Sequence, residues 1–328
     1  MSRRPILVPL QLVSVAAAIA FLAGCSGGSS SIAPKPQGAL TAIGQGNKSA
    51  TPYSCPATGT IVYVADVAVN TVNVYKGQFA GQAACGQITT GLSEPGGMVV
   101  QTTTHDLYVS NFGGANVQVY HRGQTTPYNT YTDPSVQDVA DVAVAPDGTV
   151  FAANFHKRNR TERGSISTWV GGPNGGTFVG NFPMAISRDG YNVTVNKNGE
   201  VYFTEVTKHQ SGALWKMRCP AGVCGAQTRI AGVVFEFPGG MQFNDRGNLV
   251  AIDQAGIADT FNLPNPNPRT FPLAGQPDAM ALSGLDHHLF VADYRNHDAA
   301  EYSYPSGKLI GTVQGNPVGL PDGIAIDP

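Results

Sequence analysis

One phrase returns six times along this chain, and it constrains the fold more than any other feature. A short apolar run ends in Asp, Asn or Glu: V-Y-V-A-D at Asp66, L-Y-V-S-N at Asn111, V-F-A-A-N at Asn154, V-Y-F-T-E at Glu205, L-V-A-I-D at Asp253 and L-F-V-A-D at Asp293. The steps between these residues are 45, 43, 51, 48 and 40. Each run is followed by a polar loop and a second run, such as V-N-V-Y, V-Q-V-Y or I-S-T-W. Most are preceded by another short run opened by Pro or Gly, such as P-G-G-M-V-V or P-D-A-M-A-L. A repeat of about 40–50 residues holding several strands is the mark of propeller blades. A lone four-stranded sheet cannot cover both of its faces, whereas radial packing on like neighbours covers both. That explains apolar runs that are nearly continuous rather than alternating.

The two ends of the repeat region complete each other. The chain ends P-D-G-I-A-I-D-P, residues 321–328, an innermost strand with no partners after it. The region opens with I-V-Y-V-A-D, residues 61–66, a second strand with no innermost strand before it. Pairing them closes a ring and removes a free sheet edge that would invite aggregation. The expected fold is all-β: a six-bladed β-propeller over residues 53–328, closed by the C-terminal strand joining the N-terminal blade. Composition agrees. Charged residues are 13% of the chain, against roughly 25% in an average domain, and there are 40 Gly and 23 Pro. Such a balance suits short strands joined by tight turns. Net charge is −2 with no basic stripe, which excludes nucleic acid as a partner.

The first 24 residues read as an export signal. Arg3 and Arg4 precede an apolar stretch at 6–22, and L-A-G-C follows at 22–25. The stretch carries Pro9 and Gln11 and is too short for a spanning helix. L-A-G-C resembles the bacterial lipobox. The resemblance implies cleavage before Cys25, acylation of its sulfur and stable membrane anchoring, with Ser26 pointing to the outer membrane. Residues 26–52, rich in Ser, Gly, Pro and Ala, read as a flexible tether. Four cysteines remain: Cys55, Cys85, Cys219 and Cys224. In an oxidising compartment an even number implies two disulfides. C-P-A-G-V-C could close a small loop across a hairpin, leaving Cys55 with Cys85, although three pairings are formally possible.

The recurring strand-end acid has a structural job to expect first, accepting hydrogen bonds from turn N–H groups. Chemistry, if present, belongs on the loops at that same end of the blades. Glu205, His209 and His297 are the candidate acid–base groups. Asp253, Asp293, His156 and Arg295 would form a ligand-binding rim. His287 and His288, in L-D-H-H-L, read as a solvent-facing turn, and D-G at 147–148 and 189–190 as β-turns. No G-x-S-x-G elbow, H-E-x-x-H or Walker loop is present.

Strand, Asp, loop with Asn, strand, as in V-A-D-V-A-V-N-T-V-N-V-Y, resembles the NHL-repeat family. P-D-G-I at 321–324 resembles a motif of the gluconolactonase and regucalcin family, also six-bladed. That second resemblance implies a divalent cation, calcium or zinc, on Asp322, with Asp278 in P-D-A-M and Asn192 as further ligands. The chain departs from that family at P-G-G-M, residues 95–98 and 238–241, where a Glu or Asn ligand would stand. The expected function is a membrane-anchored, exported, monomeric binding module for a protein, glycan or small molecule. The alternative is a metal-dependent lactonase, hydrolase or lyase.

Overall fold

The computed structural model describes residues 53–328 apart from 80, 156–162, 186–188, 207–210, 285–286 and 314–318. The signal, Cys25 and the tether lie outside the described residues, as do His156 and His209. Six four-stranded antiparallel sheets make up the described fold. Blade 1 holds β1 (Ile61–Asp66), β2 (Thr71–Lys76) and β3 (Gly86–Ile88), and its innermost strand is β24 (Pro321–Asp327). Blade 2 runs from β4 (Pro95–Gln101) through β5 (Asp106–Asn111) and β6 (Asn116–Tyr120) to β7 (Asn129–Thr132). Blade 3 comprises β8 (Val139–Val144), β9 (Val150–Asn154), β10 (Ser165–Val170) and β11 (Thr177–Pro183). Blade 4 comprises β12 (Asp189–Val195), β13 (Glu200–Val206), β14 (Gly212–Arg218) and β15 (Thr228–Phe235). Blade 5 comprises β16 (Pro238–Phe243), β17 (Leu249–Asp253), β18 (Ile257–Phe261) and β19 (Arg269–Pro272). Blade 6 comprises β20 (Pro277–Leu282), β21 (His288–Asp293), β22 (Asp298–Ser303) and β23 (Lys308–Thr312).

The ring closes as the sequence requires. β24 pairs with β1 from Ile61 opposite Asp327 to Asp66 opposite Pro321. The innermost strands touch in the order β24, β4, β8, β12, β16, β20 and back to β24, which defines one central axis. Apolar clusters fill the spaces between neighbouring blades. One joins Ile61, Tyr63 and Val74 of blade 1 to Val100, Leu107 and Val109 of blade 2. Another joins Val62 and Ile324 to Phe290 and Ala292 of blade 6. Because both faces of β1 are buried in this way, its apolar run has no polar alternation.

Near the axis there is little room, and this accounts for P-G-G-M. A Cβ on Gly323 would lie 1.9 Å from the Gly96 carbonyl oxygen, and one on Gly240 would lie 2.6 Å from the Met280 nitrogen. A Cβ on Gly97 would lie 2.0 Å from Asp141 Oδ1. Glycine therefore lets backbones of adjacent blades meet where a larger residue cannot fit.

Both expected disulfides form: Cys55–Cys85 and Cys219–Cys224. By chain entropy the first, spanning 30 residues, contributes about 3–4 kcal/mol and the second, spanning 5, about 2 kcal/mol. Two disulfides fit an oxidising, extracytoplasmic setting. Asp147–Gly148 is a turn, as expected, with Gly148 at φ +84°. Asp189–Gly190 is not: it opens β12. Gly190 stands opposite Glu205, where blades 5 and 6 have Pro238 and Pro277 opposite Asp253 and Asp293. There a Cβ would lie 2.5 Å from Met184 Cε and 2.8 Å from the Asn154 carbonyl oxygen. His288 is likewise not a solvent-facing turn residue. It begins β21, and its Nδ1 lies 2.6 Å from Oε1 of the fully buried Glu301.

Candidate functional site at the mouth of the ring

The second strand of each blade ends beside the start of that blade's innermost strand. Asp66 faces Pro321, Asn111 faces Pro95, Asn154 faces Val139, Glu205 faces Gly190, Asp253 faces Pro238 and Asp293 faces Pro277. All six pairs lie at one end of the ring. In three blades the strand-end carboxylate holds the loop that leads into the innermost strand. Asp66 accepts hydrogen bonds from the N–H groups of Gly319 (2.6 Å), Leu320 (3.1 Å) and Ala68 (3.1 Å). Asp253 accepts from Glu236 (2.6 Å), Phe237 (3.1 Å) and Ala255 (3.0 Å). Asp293 accepts from Gln276 (2.9 Å), Arg295 (3.1 Å) and Asn296 (3.1 Å). Asn111 does the same through its Oδ1 to Ser93 N–H at 2.5 Å.

Blade 3 departs from the scheme. Asn154 donates to the hydroxyls of Ser165 and Ser167 instead. Its lead-in loop is held by Asp133, which accepts from Ser135 N–H (2.9 Å), Ser167 Oγ (2.7 Å) and Asn181 Nδ2 (2.9 Å). Burial pushes the Asp133 carboxyl up, and these hydrogen bonds outweigh it and hold it below the ordinary value. In blade 4, Glu205 is buried, and its Oε2 has no hydrogen-bond partner among the described residues.

One residue inside the start of each innermost strand stands a second ring of positions: Asp322, Gly96, Ala140, Tyr191, Gly239 and Asp278. Asp322 and Asp278 come from adjacent blades and are only 4% and 6% exposed. The Tyr191 hydroxyl donates to Asp278 Oδ1 at 2.9 Å. Gln254 Nε2 donates to the same oxygen, and Gln276 Nε2 donates to Gln254 Oε1 at 2.8 Å. The Tyr191 hydroxyl is raised well above its ordinary pKa, by burial first and then by the charges of Asp278 and Asp322. Tyr294 is raised by burial and by the same two carboxylates. Both phenols thus remain protonated donors beside an acidic pair.

Aromatic rings continue from Tyr191 around the mouth. Tyr191 packs edge-on against Phe237 with centroids 5.1 Å apart. It also meets Phe155 at 6.3 Å, and Phe155 meets Phe112 at 6.0 Å. Phe112 and Phe155 each follow a strand-end Asn, and Phe237 precedes Pro238. With Ala140 and Val206 they form one buried apolar cluster.

The fold places Asp278 and Asp322 at the starts of neighbouring innermost strands. Asn192 follows Tyr191 on β12 and is buried. Asn192 Nδ2 lies 3.3 Å from Thr204 Oγ1 and 3.5 Å from the Pro238 carbonyl oxygen. Among the described residues no three His, Cys, Asp or Glu side chains stand close enough to hold a metal ion. Asp278 Oδ1 is already taken by Tyr191 and Gln254, and calcium would need most of its six to eight oxygens from amide or backbone carbonyls and water. Glu205 and His297 sit in blades 4 and 6, and no hydrogen bond or ion pair joins them. His297 Nδ1 instead meets the Gly319 carbonyl oxygen. Arg295 of the rim and the acid–base candidate His297 are exposed, while the rim residues Asp253 and Asp293 are taken up by the loops they hold. Sequence reading missed Tyr191, Tyr294, Gln254 and Gln276. Aligning the blades on their strand-end acids would have placed Tyr191 level with Asp278 and Asp322.

No family profile matches the chain, and no curated protein matches it. Solved structures do match in fold. One is the nidogen–laminin complex, at TM-score 0.65 and 12% identity, covering 82% of this chain and 98% of that chain. A protein from Bacteroides caccae, described as of unknown function, matches at TM-score 0.62 and 12% identity, over 82% and 99%. A functionally unknown protein from Desulfotomaculum acetoxidans matches at TM-score 0.58 and 12% identity, over the same shares.

Proposed function

We propose that this chain is an exported binding module, held at the membrane by a lipid on Cys25, that presents the mouth of its propeller to a protein, glycan or small-molecule ligand. The observation that carries this reading is how the acidic side chains of the mouth are employed. Asp66, Asp253 and Asp293 are saturated by backbone N–H groups, and Asp278 is bonded to Tyr191 and Gln254. Beyond them Tyr191, Gln254 and the aromatic rings are buried support, while Tyr294 and Gln276 are partly exposed and Arg295 and His297 exposed, leaving phenol, amide and cationic groups to meet a partner by stacking and hydrogen bonds. The propeller of the nidogen–laminin complex, similar in fold, belongs to a protein complex, which makes a protein partner a reasonable first candidate. The lactonase reading rests on a metal site, and among the described residues no group of three His, Cys, Asp or Glu is placed to hold one.

The test is a set of thermal melts of the full chain with calcium, with zinc and with chelator. The binding reading expects the same midpoint in all three. A cation that binds the native state alone would stabilise it by about 2.7 kcal/mol at a hundredfold excess over its Kd. A rise of that size that Asp322→Asn abolishes would replace the binding reading with the metal-dependent one. Cys25→Ser tests the anchor separately: the chain should move from the membrane to the soluble fraction of the cell envelope.

A further inference from the structure

We propose that the Cys219–Cys224 disulfide is a redox-responsive strap that holds the junction of blades 3 and 4 and, through it, the approach to the innermost strand that carries Tyr191. After β14 the chain turns through Pro220–Gly222, with Ala221 at φ 49° and Gly222 at φ +78°. Left-handed backbone at a residue with a Cβ is unfavourable by about 1 kcal/mol and persists only under restraint. The restraints here are the disulfide and three backbone hydrogen bonds: Gly222 N–H to the Cys219 carbonyl at 3.0 Å, Val223 N–H to the Pro220 carbonyl at 3.0 Å, and Gly225 N–H to the Arg218 carbonyl at 2.9 Å.

The restrained turn reaches across to the neighbouring blade. The Gly222 carbonyl accepts a hydrogen bond from the hydroxyl of buried Thr168 on β10, at 2.7 Å. Gly222 packs so closely there that a Cβ would lie 2.9 Å from both Val170 and Val179. Three residues beyond Cys224, Gln227 grips the linker between the blades. Its Nε2 donates to the Pro183 carbonyl at 2.8 Å, and its Oε1 accepts from Ala185 N–H at 2.9 Å. Pro183 ends β11, and the linker leads to Asp189 and so to Tyr191 on β12. One short loop thus fixes both the outer part of blade 3 and the lead-in to blade 4.

The loop is open to a reductant. Val223 is 56% exposed, Cys224 beside it is half-buried, and Arg218, Pro220, Ala221 and Gly225 are exposed. Opening consumes one external dithiol. A thiolate of that dithiol attacks one sulfur and forms a mixed disulfide, and its second thiolate then displaces the cysteine. The Cys219–Cys224 bond breaks, the dithiol is oxidised to its own disulfide, and two cysteine thiols take up the two protons. Without the covalent tie, the left-handed turn rests on three backbone hydrogen bonds, two of them local to residues 219–223 and only one closing the wider loop, so the grip on Thr168 and on residues 183–185 loosens. The Cys55–Cys85 bond lies in blade 1 and touches none of these groups.

Amide hydrogen exchange, read by mass spectrometry on the full chain before and after graded dithiothreitol, tests it. Peptides covering β10, residues 183–185 and β12 are expected to exchange about tenfold faster once Cys219 and Cys224 are reduced, with blades 1, 2, 5 and 6 unchanged. The Cys219→Ser, Cys224→Ser double variant should show the faster rates without reductant. The Cys55→Ser, Cys85→Ser variant should still respond in the junction. Unchanged exchange at the junction after reduction, acceleration spread evenly over all six blades, or a bond that resists reduction until the chain unfolds would each overturn the proposal.

Discussion

A carboxylate at a strand end either offers charge to a ligand or satisfies the backbone around it, and Asp253 does the second. Replacing it with Ala removes the acceptor for three N–H groups, of Glu236, Phe237 and Ala255. The expected loss is about 2–3 kcal/mol in urea unfolding, with Asp253→Asn losing less because its Oδ1 still accepts. Asp298 works in the opposite sense. Burial, and then the charge of Asp293, push its carboxyl up to about 6, with His297 pulling it slightly back. The folded state therefore holds that proton more tightly than the unfolded chain does. Ionised Asp298 is destabilising above about pH 6, and the effect fades as pH falls toward 4. Because the side chain is half-exposed, solvent limits the effect to about 1 kcal/mol. Asp298→Asn should raise the Tm by about 2–4 °C at pH 8 and leave it unchanged at pH 4, by calorimetry at the two pH values. The strand-end role was legible in the sequence because the acid recurs in register with the apolar runs. The pairing of His288 with Glu301 was not, since it depends on the register of β21 against β22, which sets Glu301 opposite Phe290 and so diagonal to His288 on the same face of the sheet.

Strands carry a different constraint, set by how near the axis they run. Gly323 on β24 faces the Gly96 carbonyl at a distance no Cβ tolerates. Gly323→Ala should cost more than about 2 kcal/mol, because backbone rather than a movable side chain is in the way. Gly284, whose Cβ would meet only Pro328 at 3.9 Å, is the control and should change stability by less than about 0.5 kcal/mol. P-G-G-M could be found in the sequence as an opening of an innermost strand, but its reason could not. The close approach belongs to a neighbouring blade, 44 positions on for Gly97 and Asp141 but 227 for Gly96 and Gly323. Tyr191 was hidden for a related reason. Asp189–Gly190 has the composition of a turn, and its pairing with Val206 and Glu205 of β13 makes it the start of a strand.

The ring as a whole is fastened at both ends of β24. At the mouth, Asp66 holds Gly319 and Leu320. At the opposite end, fully buried Asp327 accepts from Arg122 Nη1 at 2.8 Å and lies 2.6 Å from His105 Nδ1, so blade 1 is tied to blade 2. Asp327→Ala leaves the mostly buried Arg122 without its counter-charge and should cost about 3 kcal/mol or more in denaturant unfolding. Ring closure was readable from two sequence fragments that each lacked a partner. The Asp327 fastening was not, because His105 and Arg122 lie more than 200 positions away in the chain. The same feature orders events in time. β24 is synthesised some 254 residues after the strand it joins. Until it emerges, β1 presents an unpaired edge, so a nascent or prematurely ended chain would need a chaperone's cover rather than its own topology to stay out of aggregates.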